Sequence, residues 1–501
     1  MEVSLPISNA PEVKNRHAAA REASGASHKT PRAAAGSSIP AASQTANTSA
    51  ISLPLRFIVT GLLALVLGVA WLVAQPSVLA SYHYNQYVIA VTHLFALGFL
   101  STIVMGAMYQ LVPVALETRL CSERLAKWQF AFHLVGFTGM VWMFWTWNMK
   151  QVGHFGSIMA AGVGLFVWNI TQTLRRVPKW NVTATAVSAV LGWITLTVIA
   201  GLSIAAGKCA YESTSGLATA TGVKSVVAGL RSLGAFMARF DQISAMHAHA
   251  HLSGVGFFTL LIVGVSYKLI PMFVLSEIQS HRRAVASVAL LNLGLAGSFV
   301  TILLRSPWKL FFAGAIIAAL VIYGFELRAI LRARKRAALD WGIRSFLTAV
   351  GLLLPLSLLS LVLAWPGLPL NTFTGQLENL YGFLGLIGVV SFAVIGMLYK
   401  IIPFLVWFGV YSPHVGRAKL PALADLYSHR LQIAGYGSVL AGLAVTSAGI
   451  LLSSEMVVRL GSVLLLVSVA TLIVNVVKML RHFARPQISP IGLSKAQPTT
   501  G

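Results

Sequence analysis

Residues 93–113 read HLFALGFLSTIVMGAMYQLVP, and the spacing of their histidine, glycines, tyrosine and proline recurs twice in the chain. The other two copies are HLSGVGFFTLLIVGVSYKLIP at 251–271 and FLGLIGVVSFAVIGMLYKIIP at 383–403, where Phe replaces the first His. Each copy is apolar and long enough to cross a bilayer, which takes about 20 helical residues. The shared pattern, H/F-x(4)-G-x(7)-G-x(2)-Y-x(3)-P, predicts three structurally equivalent helices.

The composition around these copies is that of a membrane protein. The chain has 501 residues, of which 56% are hydrophobic and only 10% charged, whereas soluble proteins carry about 25% charged residues. Because a spanning helix satisfies its own backbone groups in lipid, we predict an all-α polytopic membrane bundle. The apolar runs give about twelve transmembrane helices, near 55–75, 87–113, 128–148, 154–174, 182–205, 245–271, 284–304, 308–331, 344–365, 379–404, 431–452 and 456–479.

The three copies fall on the second, sixth and tenth predicted spans, so the pattern returns every four helices. A four-helix unit used three times predicts a pseudo-threefold arrangement about an axis normal to the membrane. The repeated glycines could admit either a neighbouring helix backbone or a flat cofactor, and packing is the commoner use of glycine in membrane helices.

The distribution of basic residues predicts the orientation. The net charge of +24 is a feature of topology rather than of nucleic-acid binding, because Lys and Arg concentrate in cytoplasmic loops. With the N-terminus inside, cytoplasmic segments hold 27 of the 37 Lys and Arg and outer loops hold eight. We therefore expect both termini in the cytoplasm. The expected domains are a disordered tail at 1–54, the transmembrane domain at 55–480 and a second tail at 481–501.

Histidines cluster where the sixth span begins. His247, His249 and His251 alternate there, and His93 lies at the matching depth of the second span. Residues two apart on a helix point to nearly opposite sides, so His249 should face away from the other two. Intramembrane histidines can ligate a metal or haem, bond neighbouring helices or relay protons. The clustering favours ligation, because neutral imidazole is the commonest metal ligand.

The other ionisable groups are expected to be less informative. His83 and His154 are placed on the outer side as loop residues that could add ligands, and His133 and His281 are each expected to bond one helix to another. No carboxylate is expected at the depth of the clustered histidines, and none near the middle of the bundle.

These residues resemble the catalytic subunit of the haem-copper oxidases, particularly its cbb-type branch. That subunit is also a pseudo-threefold bundle of twelve helices. Its tenth helix is similar to His249-Ala250-His251 with Gly256, Gly264, Tyr267 and Pro271, and its sixth helix is similar to His93, Gly98-Phe99, Gly106, Tyr109 and Pro113. The resemblance implies that His249 holds a high-spin haem and His251 a low-spin haem. His93 takes a copper-ligand position by spacing, or the second low-spin position by helix count.

The chain departs from the oxidases at the copper site. The pair of adjacent histidines that completes that site is replaced by Trp147-Asn148 in one register, and the seventh span offers no internal His in the other. A proton-pumping oxygen reductase is therefore not expected. The NnrS-type haem- and copper-containing membrane proteins are a closer functional analogue, with a His-x-His helix start and a late motif similar to His414-Val415-Gly416-Arg417.

The sequence thus predicts a divergent relative of haem-copper oxidase subunit I that lacks a complete copper site. We expect b-type haem bound by His93, His251 and His249, with His93 and His251 as the first pair. His247 and His249 are candidates for a metal such as copper. Electron transfer or diatomic-gas sensing would follow, with a protein or quinol as electron donor and no nucleic acid as partner. Whether the chain is an enzyme stays open, and a permease or a cofactor-free scaffold protein are the alternatives.

Overall fold

The computed structural model describes residues 51–212 and 234–490, together with Gly229 and Ser232. Twelve long helices form the bundle in this part of the chain, which confirms the all-α prediction. They are α1 Ser52–Ala74, α2 Gln86–Ala115, α3 Glu123–Trp145, α4 Met149–Leu174, α5 Val182–Glu212, α6 Gln242–Val274, α7 His281–Leu303, α8 Lys309–Arg332, α9 Trp341–Ala364, α10 Thr372–Val410, α11 His429–Leu451 and α12 Glu455–Ala484.

Eleven of these helices are both long and apolar enough to cross a membrane. The remaining one is α3, which has 23 residues but begins with Glu123, Arg124 and Lys127. The chain is therefore a multi-pass membrane protein.

The predicted tails fall mostly outside the described residues, which begin at Ile51 and end at Pro490. Helix α1 begins at Ser52 and α12 continues to Ala484. A short antiparallel pair joins Ala418–Lys419 to Ser489–Pro490, so the chain after α12 returns to the loop after α10.

The four-helix repeat is visible in how the helices pack. The third and fourth helices of each unit pair closely, as α3 with α4, α7 with α8 and α11 with α12. Ser122 begins α3, and its backbone N–H donates to Asn169 of α4 at 3.0 Å. Ser428 does the same toward Asn475 at 2.9 Å in the third unit. Equivalent contacts in separate units support the pseudo-threefold arrangement.

In the middle unit the corresponding group is a buried carboxylate. Glu326 of α8 accepts the backbone N–H of Ser280 at 2.8 Å and lies 2.8 Å from the guanidinium Nε of Arg283. Glu326 is fully buried, yet it lies at the end of α8 rather than near the middle of the bundle. An ion pair thus replaces the amide contact found in the other two units.

Each of α2, α6 and α10 changes to a π-helix just after its repeat position. The π segments are eight residues each, at Leu94–Ser101, Leu252–Thr259 and Leu384–Ser391. A hydroxyl group closes each one by donating to the carbonyl five residues earlier, from Thr102, Thr259 and Ser391. Local π geometry often marks functional sites, and here it follows His93 and His251 directly.

The second glycine of each copy packs closely against the helix that precedes its own helix in the chain. A Cβ placed on Gly106 would lie 2.3 Å from Cβ of Phe57 in α1, and one on Gly264 would lie 2.2 Å from Cβ of Ala186 in α5. On Gly396 it would lie 2.7 Å from the carbonyl oxygen of Gly342 in α9. These three glycines therefore serve helix packing, which agrees with the commoner of the two expected uses.

Candidate functional site

His93 and His251 hold their imidazoles in the same way. Nδ1 of His93 donates to the carbonyl oxygen of Ile89 at 2.7 Å, and Nδ1 of His251 donates to that of His247 at 2.7 Å. The carbonyl can only accept, so each neutral ring carries its proton on Nδ1 and leaves Nε2 as the acceptor nitrogen. Ligating histidines commonly use this arrangement, because the second bond fixes tautomer and ring orientation.

The two rings face different neighbours. His93 packs on Phe144 of α3 with ring centroids 4.5 Å apart. His251 stacks on Tyr381 of α10 at 5.8 Å, with its Nε2 3.3 Å from the tyrosine hydroxyl. Tyr381 stands two residues before Phe383, the repeat position of α10. His251, the repeat histidine of α6, therefore faces Tyr381, which stands two residues before the repeat position of α10.

The equivalent residue of α6, two before its repeat position, is His249, and its electrostatic neighbour on α2 is His93. His249 packs against α5, where a Cβ on Gly201 would lie 3.0 Å from its Cε1. The Nδ1 atom of His249 is buried and has no hydrogen-bond partner among the described residues. A buried nitrogen without a partner is open to a ligand, and Nδ1 of the structural His133 is in the same state.

His247 belongs to a third set of contacts at the same end of the bundle. Its Nε2 lies 3.1 Å from Nε2 of His83, which precedes α2. Nδ1 of His83 lies 3.7 Å from Oε2 of Glu378 in α10. Burial lowers the pKa of His83 to about 4, so this imidazole is neutral at pH 7. We call His83, His247 and Glu378 the outer triad.

The outer triad corrects one expectation from the sequence. No carboxylate was expected at the depth of the clustered histidines, yet Glu378 lies beside His83. The tenth span was placed at 379–404, whereas α10 begins at Thr372 and carries Glu378 within its first turns. Helix α10 begins several residues before the apolar run, and Glu378 lies in that extra helical part. A span predicted from hydropathy alone leaves this part out.

Two other histidines lie apart from this cluster. His133 of α3 is buried, and its Nε2 lies 2.8 Å from the hydroxyl of Thr102 in α2. This is the helix-to-helix bond that the sequence predicted for it. His154 is exposed at the start of α4 and contacts Gln151 at 3.2 Å. Neither histidine contacts the ligand candidates.

An apolar cavity lies inside the bundle, away from the clustered histidines. It has a volume of about 100 Å³ and is enclosed by the halves of α2, α6 and α10 that follow the π segments, with Met108, Val265 and Met397 among its lining residues. Thr183 and Ser266 contribute the few polar atoms. Sites for drug-sized ligands are about 300–1,000 Å³, so this space suits only very small molecules.

Comparison with known proteins identifies structures with a similar fold but no matching family. No family model matches the sequence, and no curated protein matches it. Solved structures do match, among them the cryo-EM structure of a haem-copper terminal oxidase dimer, with a TM-score of 0.55 and 12% sequence identity. The match covers 86% of this chain and 84% of that chain. The protein therefore has a distant haem-copper oxidase-like fold.

Proposed function

We propose that this protein binds b-type haem between α2 and α6 and uses it for electron transfer or for binding a diatomic gas. The observation that carries the proposal is the buried Nδ1 of His249, which has no hydrogen-bond partner among the described residues and whose electrostatic neighbour is His93 of α2. The oxidase-like fold supports it, because the matched structure is described as a haem-copper oxidase.

The side chains around this pair suit an iron ligand site. The bond from Nδ1 of His93 to Ile89 leaves Nε2 available for iron. His249 has a buried nitrogen without a partner, and Gly201 leaves room for its ring. Haem held by two histidines supplies reversible one-electron chemistry, and loss of one ligand would open a position for a gas.

His251 is proposed as a ligand on the neighbouring face rather than as the partner of His93. Sequence spacing favours His93 and His251 as the first pair, since they are repeat equivalents. However, Nε2 of His251 lies near the hydroxyl of Tyr381 at 3.3 Å, on the α10 side of α6. A second haem or metal at His251 would therefore be separate from the site between α2 and α6.

The cellular setting is also a proposal. We infer a bacterial inner membrane location with both termini cytoplasmic, from the basic residues of the loops. An electron-donor protein or a quinol would then supply electrons. Oxygen reduction is not proposed, because the oxidase copper site would need histidines where Trp147 and Asn148 stand.

Transport is the main alternative, and the apolar cavity does not favour it. A path for an anion needs polar or basic lining groups, whereas the residues around the central cavity are almost all apolar. A cofactor-free scaffold protein would leave the orphaned nitrogen of His249 unexplained.

The direct test is the absorbance of the protein purified from haem-sufficient cells. We expect a Soret band, sharpened alpha and beta bands after dithionite reduction, and haem b in the pyridine haemochrome assay. Colourless protein without extractable haem would refute the proposal and leave the scaffold or transport functions.

A further inference from the structure

We propose that the outer triad of His83, His247 and Glu378 is a binding site for a divalent transition-metal ion, separate from the proposed haem site. One ligand atom of each residue lies within 4.8 Å of those of the other two. The three residues come from the three repeat units, since His83 precedes α2, His247 lies in α6 and Glu378 in α10. A bound ion would therefore join all three units at one end of the bundle.

The spacing of the two imidazoles fits a shared ion. Their Nε2 atoms are 3.1 Å apart. Two nitrogens bound tetrahedrally to zinc at about 2.0–2.1 Å would be separated by about 3.3 Å. Small side-chain adjustments would therefore bring both nitrogens into the first coordination sphere. Two histidines and one glutamate form a known catalytic zinc ligand set, which leaves one position for water.

Hydrogen bonding alone does not satisfy this cluster. The contact between His83 and His247 uses one nitrogen of each ring. Nδ1 of His83 remains buried without a hydrogen-bond partner, and it lies 3.7 Å from Oε2 of Glu378. When Nε2 of His83 binds the ion, Nδ1 carries the proton and can donate to a carboxylate oxygen of Glu378, so the ion and Glu378 together satisfy both ring nitrogens.

The segment that carries His83 is held in place by α10. Gln376 donates from Nε2 to the carbonyl oxygen of Ala80 at 3.2 Å, and Asn379 donates from Nδ2 to that of Leu79 at 3.3 Å. These two side chains flank Glu378 on its helix. The same short stretch of α10 therefore positions both Glu378 and His83, which reduces the entropy lost when an ion binds.

A nearby cation gives the proposal a distinctive test. Lys309 of α8 lies close enough to interact electrostatically with both His247 and Glu378. Its positive charge opposes a divalent ion at the triad. Removing the charge with Lys309→Gln should strengthen metal binding, whereas a purely hydrogen-bonded cluster predicts no such gain.

The experiment measures zinc affinity of the full-length protein, purified in detergent without a histidine tag and stripped with chelator. Competition with a chromophoric chelator should give one tight site. His83→Ala and Glu378→Gln should each weaken binding by about 100-fold or more, since even outer partners of a metal site are worth 10–100-fold. Lys309→Gln should tighten it several-fold.

His154→Ala is the matched control, because His154 is at the same end of the bundle but exposed and outside the triad. Its zinc affinity should equal that of the unaltered protein. Monodisperse gel filtration of each variant checks folding, and Co²⁺ substituted for zinc should give a tetrahedral visible spectrum only when the triad is intact.

Equal zinc affinity in His83→Ala, Glu378→Gln and His154→Ala would overturn the proposal, as would the lack of a stoichiometric site in the unaltered protein. The outcome is independent of haem. Colourless protein that still binds one zinc through the triad would refute the haem proposal alone.

Discussion

His93 and His251 donate through Nδ1 to the carbonyl oxygen four residues earlier, each at 2.7 Å, and each immediately precedes a π-helical segment. The two residues are 158 positions apart in sequence but have the same local geometry. π-Helices are rare and occur mainly at functional sites. A π segment after both histidines therefore indicates that His93 and His251 have the same structural role in their repeat units. Their ring environments differ, and that difference underlies the predictions that follow.

The first prediction concerns Gly201 in α5. A methyl group at this position would lie 3.0 Å from Cε1 of His249, so Gly201→Ala should displace the imidazole. If His249 ligates haem, the absorbance bands and the reduction potential should shift. Gly192→Ala is the control on the same helix, because nothing lies within 4 Å of its Cβ position. Identical spectra for both variants would argue against ligation by His249.

Helix packing gives the second prediction. A Cβ on Gly264 would lie 2.2 Å from Cβ of Ala186, and the two helices cannot separate without losing other contacts. We expect Gly264→Ala to lower the free energy of unfolding by about 1–3 kcal/mol, measured by denaturation in detergent. Gly324→Ala has open space at its Cβ position and should be neutral or stabilising. Equal stability of the two variants would contradict the close contact.

The third prediction concerns the buried ion pair of α8. Glu326→Ala would remove the acceptor for two backbone N–H groups, of Gln279 and Ser280, and the partner of Arg283. We expect a loss of about 2 kcal/mol or more in the free energy of unfolding, because two backbone N–H groups lose their acceptor at about 1–3 kcal/mol each, whereas the half-exposed Arg283 can turn to solvent. Glu326→Gln keeps an oxygen acceptor and should lose less. Equal losses in Glu326→Gln and Glu326→Ala would show that charge, rather than hydrogen bonding, dominates.

Much of this architecture could be predicted from the sequence, because it depends on local periodicity. The apolar runs and the repeated glycine, tyrosine and proline spacing predict the helices and their pseudo-threefold order. His133 bonds a neighbouring helix as predicted, whereas His281, for which the same bond was predicted, is exposed at the start of α7.

The outer triad could not be predicted, because its members are far apart in sequence. His83 and His247 are separated by 164 residues, and their contact depends on how α2 meets α6. For the contact between His251 and Tyr381 the sequence did carry a signal. Tyr381 stands two residues before Phe383, just as His249 stands two residues before His251. Which histidine faces which helix depends on tertiary packing and not on spacing.

The fourth prediction concerns orientation. The segment after α8 is rich in Arg and Lys, and the loop after α9 is not, so the former should be cytoplasmic. An alkaline phosphatase fusion after Gly367 should be active, because the enzyme works only outside the cytoplasm. A fusion after Arg336 should be inactive. The reverse pattern would place the clustered histidines on the cytoplasmic side.

The central claim is that haem lies between α2 and α6 with His93 and His249 as its ligands. The most direct measurement is the dithionite-reduced spectrum of three purified variants, His93→Ala, His249→Ala and His251→Ala, with His154→Ala as the control. We predict that the first two lose the six-coordinate low-spin signal, whereas His251→Ala and His154→Ala keep it. Loss of the signal in His251→Ala together with its retention in His249→Ala would contradict the account.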